Sequence, residues 1–332
     1  MPLKKKIYAD ELPDLMNFIE TNWKAGHIMA HDTEVMSFQH GNADGSYNFS
    51  MIERDGAVSG ILGYIPVMHF DEKLEKFHNL WLAIWKNVGS PGDGLELFQT
   101  VCQSYDTIGA IGINSKVAKL YKLLGCRVDF MRQYYILNPT LKKFQIAVVN
   151  QKTEPFLPKT RAICEKLSDA EMLASGVQGE YCPEKSLDYL HNRYALHPVY
   201  DYEFYGIKNS SDAPFSAIIV IREIDINGAK CLRIVDVLGS LKKCTTLYPA
   251  LIELLQNKEA EYIDLLNYGL PEELFLAHGF TVLQANDNNI IPNYFEPFVQ
   301  QNVTIQLAVI NNTEKDYIVF KGDSDQDRPN MR

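Results

Sequence analysis

Residues His78 to Tyr135 read HNLWLAIWKNVGSPGDGLELFQTVCQSYDTIGAIGINSKVAKLYKLLGCRVDFMRQYY, and the punctuation of this stretch decides the fold. Leu80 to Trp85 is an apolar run of strand length. Gly89-Ser90-Pro91-Gly92-Asp93-Gly94 then opens onto Leu95 to Cys102, whose apolar positions recur with helical spacing. Ile108 to Asn114 is a second strand, leading into a helix that carries Tyr121 and closes at Gly125. A strand, a glycine turn and a helix start make a place where backbone N–H groups hold a phosphate. The first helical turn leaves those groups unpaired, and the helix dipole favours negative charge there. The glycines let backbone approach without a Cβ in the way. Without a ligand, the same turn is simply a helix start, because Gly-x-Gly is a short motif.

Working outward, Asp10 to Trp23 and Asp32 to His40 are helical, and Tyr47 to Glu53 and Ala57 to Val67 are strands. Arg54-Asp55-Gly56 joins them in a hairpin turn. Phe144 to Val149 is expected as a final strand and Gln151 to Lys159 as a linker. The second half then repeats the order. A capping box at Ser168 to Glu171 starts one helix, and Pro183 to Leu196 is another. Strands follow at Tyr202 to Lys208, Phe215 to Ile224 and, after the Ile226-Asn227-Gly228 turn, Lys230 to Leu238. Helices at Leu247 to Gln256 and Pro271 to His278 flank a strand at Tyr262 to Asn267. Val303 to Ile310 and Tyr317 to Lys321 close the chain. Gly89-Ser90 corresponds to Gly239-Ser240, and Tyr121-x-x-x-Gly125-Cys126 to Phe275-x-x-x-Gly279-Phe280. The expectation is an α/β protein of two similar domains, 1–150 and 151–332, produced by duplication.

The chain is long enough for two domains: 332 residues, 46% hydrophobic and 22% charged. A net charge of −10 argues against nucleic acid as the main partner. Six scattered cysteines without a C-x-x-C pair favour reduced thiols and no metal site. Met1-Pro2-Leu3-Lys4-Lys5-Lys6 lacks an apolar run behind it, and no run reaches membrane-span length. A cytoplasmic protein with no membrane partner is expected.

At the residues of the opening stretch the chain resembles the GNAT superfamily of acetyl-CoA-dependent N-acyltransferases, whose pyrophosphate loop is R/Q-x-x-G-x-G/A. Gly92-Asp93-Gly94 matches the G-x-G part, Gly89 stands where Arg or Gln is usual, and Cys126 replaces a phenylalanine. The whole chain also resembles tandem-GNAT N-acyltransferases of nucleotide-linked 4-amino-4,6-dideoxy sugars, the anthrose type, from surface-polysaccharide and O-antigen pathways. That resemblance rests on Gly60-Ile61-Leu62-Gly63-Tyr64-Ile65-Pro66, Trp81 with Trp85, Asn192-Arg193-Tyr194 with His197-Pro198, Arg233-Ile234-Val235-Asp236, Pro292 to Phe298 and Asp325 to Asn330. It implies two GNAT-like domains with mixed, mostly antiparallel sheets. Acyl-CoA would lie on Gly89, Ser90, Gly92, Gly94, Leu95 and Asn114. A dTDP- or UDP-linked amino sugar would be gripped by Trp81, Arg193, Asn293, Tyr294, Glu296, Lys321 and Arg328.

Tyr121 is the candidate general acid for the departing thiolate. Phe275, its counterpart, lacks the hydroxyl, and Leu241-Lys242-Lys243-Cys244 stands where the first half has Pro91-Gly92-Asp93-Gly94, so only the first half is equipped for CoA. Asp93 and His31 lead the candidate bases, with Asp32, His69, Asp71 and His78 behind them; an amine that is already neutral needs none. A backbone N–H on Leu80 to Trp85 would stabilise the oxyanion. In the second half, arginines suit a diphosphate and aromatics a nucleobase, while a loose polar terminus is the plain alternative for Lys321 to Asn330. Two other functions stay open: an aminoacyl transferase using charged tRNA, and a binding module without catalysis.

Overall fold

The computed structural model describes residues 3–151, 156–284 and 286–330, so residues 152–155 of the expected linker lie outside it. Strands β1 (Leu3–Lys4), β2 (Phe49–Arg54), β3 (Ala57–Pro66), β4 (Asn79–Asn87), β5 (Thr107–Ile111) and β6 (Arg127–Phe130) belong to the first sheet. Next come β7 (Arg132–Leu137), β8 (Ile163–Leu167), β9 (Glu203–Lys208), β10 (Ala217–Ile226), β11 (Ala229–Gly239), β12 (Ala260–Tyr268) and β13 (Thr281–Val282), and finally β14 (Gln306–Asn311) and β15 (Val319–Phe320). Asp55-Gly56 and Asn227-Gly228 turn the two long hairpins with positive φ at both residues, the backbone that matches strand twist. Helices α1 (Pro91–Cys102) and α2 (Ser115–Leu123) flank β5, and α3 (Tyr248–Asn257) and α4 (Glu272–Ala277) flank β12. Tyr121 and Phe275 face their sheets from α2 and α4, and Gly125 and Gly279 follow at φ 86° and 83°. Both close their helix with the left-handed turn that glycine adopts at no steric cost.

The sheets do not respect the boundary at 150. The first runs β1-β2-β3-β4-β5-β14-β6 and the second β8-β9-β10-β11-β12-β7-β13, with β15 beside β12. β7 leaves the first half to lie between β12 and β13, and β14 returns from the second half to lie between β5 and β6. The two crossing strands touch where the Met131 N–H donates to the Ile305 carbonyl at 2.9 Å. Each sheet is therefore completed by a strand of the other half. Phe144 to Val149 forms no strand beyond a single bridge from Val148 to Ile290. Its N–H groups at Gln145, Ile146 and Ala147 bond the buried Glu261 carboxylate instead.

Each sheet has one parallel pair, and in both the pair parts. β4 stays with β5 only from Asn79 to Leu82, and β11 with β12 only from Lys230 to Ile234. Each longer strand carries one extra residue against its antiparallel neighbour, a bulge at Ala83–Ile84 in β4 and at Val235 in β11. A bulge twists the strand and frees a backbone group from the ladder. The chain from β15 onward threads both gaps. β15 pairs with Asn267 and Tyr268, the Gly322 N–H donates to Val235 at 2.7 Å, the Ser324 hydroxyl to Leu82 at 3.1 Å, and the Gln326 amide to Ile111 at 3.0 Å. Asp323 and Ser324 are fully buried. This part of the chain is core, not a loose terminus.

Candidate functional site

At the start of α1 the Asp93 carboxylate accepts the Ser90 N–H at 3.1 Å and two bonds from Arg54. The hydrogen bond to Arg54 holds this carboxyl below the usual range. It points under the turn, within 2.6 Å of where a Cβ on Gly89 would be, so Gly89 is glycine to make room for it. The Gly89 N–H bonds Asn87 and the Ser59 carbonyl. Gly92 faces open space, Gly94 lies over Trp85 and Asn87, and Leu95 is exposed. Asp93 thus serves as a helix cap and ion pair. A carboxylate so committed is a poor proton acceptor, and this corrects its expected part as the base.

Tyr121 is buried, its ring 5.4 Å from Trp85 and 6.3 Å from Phe98. Burial raises its pKa, which keeps the phenol protonated as a general acid must be. Trp85 stands on the parted section of β4, so the phenol sits beside the opened strand. Asn114 caps α2, accepting from Lys116 and Val117 at 3.0 Å each. His31 is half-exposed and paired with Glu20 at 2.9 Å, so its own partner on the surface corrects the expectation of a base there. Asp32 and Asp71 cap short helices, the His69 Nε2–H donates to the Phe38 carbonyl at 2.9 Å, and His78 is a surface residue facing Asp106.

Two expected substrate contacts also move. Trp81 is 1% exposed, with its ring over Gly109, where a Cβ would come within 2.2 Å. Arg193 lies on the Phe70 ring and donates to the Gly322 and Ser324 carbonyls. Both are core: Trp81 packs against Gly109 and Tyr317, and the threaded segment covers Arg193.

The other expected contacts converge. A cavity of about 260 Å³ between the sheets is lined by Asn293, Tyr294, Glu296, Lys321 and Arg328, together with Tyr200, Arg222, Arg233, Asp325 and Asp327. Gly112 and Ile113, just past the end of β5, form part of its wall, so it adjoins the gap in the first sheet. Strand register explains the charges. Arg222 stands opposite Arg233, and Arg233 opposite Asp264, across three neighbouring strands. Like charges facing one another are unfavourable unless each is paired. Arg233 forks onto Asp264 at 2.9 and 2.7 Å, and Arg222 meets Asp327 at 3.0 Å over the Tyr200 ring. Gln133 on the exchanged strand β7 bonds Asp264 at 2.8 Å and Asn293 at 3.0 Å. Arg328 is held by Asp325 and His27.

Arg222 and Tyr200 were missed from the chain alone, and Arg233 was seen only within a longer string. The available signal was charge set among the apolar residues of each strand, Arg222 in AIIVIREIDI, Arg233 in AKCLRIVDVLG and Asp264 in AEYIDLLNY. Among the described residues no group of three or more His, Cys, Asp or Glu is gathered to hold a metal ion, and no helix is long and apolar enough to cross a membrane.

Two sheets, each with a bulged strand parting from a parallel neighbour, make this a tandem of the GCN5-related N-acetyltransferase fold. The chain is similar to a GCN5-related N-acetyltransferase from Anabaena variabilis ATCC 29413, with TM-score 0.52 and 12% identity over 93% of this chain and 72% of the other. It is also similar to a conserved Enterococcus faecalis V583 protein of unknown function, called a "Probable N-Acyltransferase", with TM-score 0.54 and 9% identity over 94% and 74%. At these identities the likeness is one of fold. No protein-family model and no curated protein matches the chain.

Proposed function

We propose that the protein is an acyl-CoA-dependent N-acyltransferase acting in the cytoplasm on a nucleotide-linked amino sugar, of the 4-amino-4,6-dideoxyhexose type used in surface polysaccharides. One observation supports this above others: the cavity that adjoins the first sheet's gap is walled by cations, carboxamides and two tyrosines, with its acids Asp325, Asp327 and Glu296 already bonded to Arg328, Arg222 and Tyr200. Cations suit a diphosphate, carboxamides suit sugar hydroxyls and base edges, and an aromatic face suits a nucleobase.

The first half fits the CoA cosubstrate at the turn and the strand. Gly92 opens to solvent at a helix start, Asp93 is turned away beneath it, and the β4 edge beyond Leu82 has no partner on β5. Gly92, Gly94 and Leu95 would hold it, and it would supply the activated acyl group. The bulge at Ala83–Ile84 offers the backbone N–H for the oxyanion, and Tyr121 gives the departing sulfur its proton. The attacking amine, with a pKa near that of an α-amino group, about 8, is partly neutral without help. Incubating the protein with acyl-CoA and dTDP- or UDP-linked amino sugars, while following free thiol, tests this. Absence of thiol release with every donor and acceptor pair refutes it.

A second function is favoured by the bonds from Ser324 to Leu82 and from Gln326 to Ile111, which occupy the gap itself. These bonds suit a binding protein that keeps the fold without the chemistry. Calorimetry separates the two, because that protein has no affinity for CoA.

A further inference from the structure

Around the cavity every acid is already committed. Asp264 holds Arg233, Asp327 holds Arg222 and bonds Tyr202, Asp325 holds Arg328, and Glu296 bonds Tyr200 and the Asn330 N–H. Lys321 is the cation left over. It is 6% exposed, and among the described residues it makes no ion pair and no hydrogen bond. The groups that act on it are Arg233 on β11, Arg222 on β10, and Asp327 and Asp325 on its own segment. Arg328, Glu296, Tyr200 and Tyr294 complete the charged and titratable wall. A buried ammonium without a partner is unfavourable, and it either loses its proton or acquires an anion. Two polar atoms on this wall are buried without partners, Arg222 Nε, a donor, and Asn293 Oδ1, an acceptor. Lys321 with Arg222 Nε asks for an anion, and Asn293 Oδ1 for an N–H or O–H on the same ligand.

We infer that the cavity is a phosphate or diphosphate subsite centred on Lys321, and that filling it brings a proton onto this lysine. This deepens the assignment of the cavity to the nucleotide-linked acceptor and rests on it. Burial first, and then Arg233 and Arg222, lower the free lysine to about 8, so near that pH part of the protein holds it neutral. An anion beside it restores the charged form, and the proton comes from solvent. Phosphate itself contributes no proton, since its second ionisation is complete well below this pH.

The test is titration calorimetry of the full chain in two buffers of different ionisation enthalpy, across pH 7 to 9. The probes are UDP, dTDP, uridine, inorganic pyrophosphate and CoA. UDP or dTDP is expected to bind with proton uptake that grows above pH 8, its affinity falling towards tenfold per pH unit. Uridine, lacking phosphate, should bind at least about tenfold more weakly and without proton uptake. Lys321→Arg should keep the affinity and lose both uptake and pH dependence, because arginine stays charged. Lys321→Met, with thermal unfolding as a folding control, should lose at least about tenfold in affinity. Binding that Lys321→Met leaves unchanged overturns the assignment, as does uptake that persists in Lys321→Arg. Lys321-dependent binding of CoA with none of UDP, dTDP or pyrophosphate also overturns it, by moving the anion to the donor. Nucleotide binding with this proton signature but no acyl transfer to any acceptor supports the subsite while refuting the enzyme.

Discussion

The Ser324 hydroxyl donates to the Leu82 carbonyl at 3.1 Å, at the last residue of β4 that still pairs with β5. A residue near the end of the chain thus sets where the first sheet opens. Arg193 holds this arrangement from behind through the Gly322 and Ser324 carbonyls.

Arg193→Met should therefore lower stability by roughly 3 kcal/mol, since it strands two buried carbonyls and empties the space on Phe70. The midpoint of urea unfolding measures this. A shift no larger than that of a surface substitution would show that the segment is held by other contacts.

Asp93→Asn should lower the melting temperature while leaving the acyl-transfer rate near neutral pH unchanged. Arg54→Met should produce a similar loss, and the double variant little more, because the two groups form one unit. A fall in rate of roughly a hundredfold or more at unchanged melting temperature would restore Asp93 as the base.

Gly109→Ala places a methyl against the Trp81 ring in the centre of the first sheet. Overpacking there should cost roughly 2–3 kcal/mol, read as a lowered urea midpoint. Pairing it with Trp81→Phe should recover part of the loss.

Burial holds His27 and His40 at about 3 and His197 at about 4. Unfolded histidines titrate at about 6.5, so below that pH the unfolded chain binds protons that the folded chain refuses. Their contribution is intact above about pH 6.5 and is lost as pH falls towards the folded values, by up to about 1.4 kcal/mol per pH unit for each histidine. His40→Gln should reduce the acid slope of unfolding stability by one histidine's share. An unchanged slope in that variant would mean that His40 is charged in the folded protein.

Residues 1–150 produced alone should lack fixed tertiary structure, because β14 is missing from between β5 and β6 and β7 has no sheet to join. The second half alone lacks β7. Near-ultraviolet circular dichroism and hydrogen exchange test this, and a cooperatively folded monomer of either half would contradict it.

Local features were legible in the chain because their physics is local. Asp55-Gly56 and Asn227-Gly228 announce hairpins, and Gly125 and Gly279 announce helix ends through the backbone angles they alone adopt cheaply. The paired halves followed from these. Asp93 was misread because a carboxylate in a glycine turn has two destinations, outward to a ligand or inward to a cap, and only Arg54, 39 residues away, decides between them. Lys321, Asn293, Tyr294, Glu296 and Arg328 were picked for polarity and do share a wall. Arg193, chosen on the same grounds, and Trp81, expected from the family resemblance, lie in the core.

The chain by itself determined most of the elements, the hairpin turns, the duplicated order and the helix start that distinguishes the first half, since each depends on neighbours within a few residues. It did not announce β6 or β7, and Phe144 to Val149, expected as a strand, forms only a single bridge. The tertiary structure decided which sheet each strand completes. β7 and β14 are both six-residue strands whose sequences suit either sheet, and only the packing of both halves selects the exchange. It also decided the site. The Arg222, Arg233 and Asp264 row exists only once three strands lie in register, and Lys321 becomes the unpaired cation only once every acid around it has been claimed.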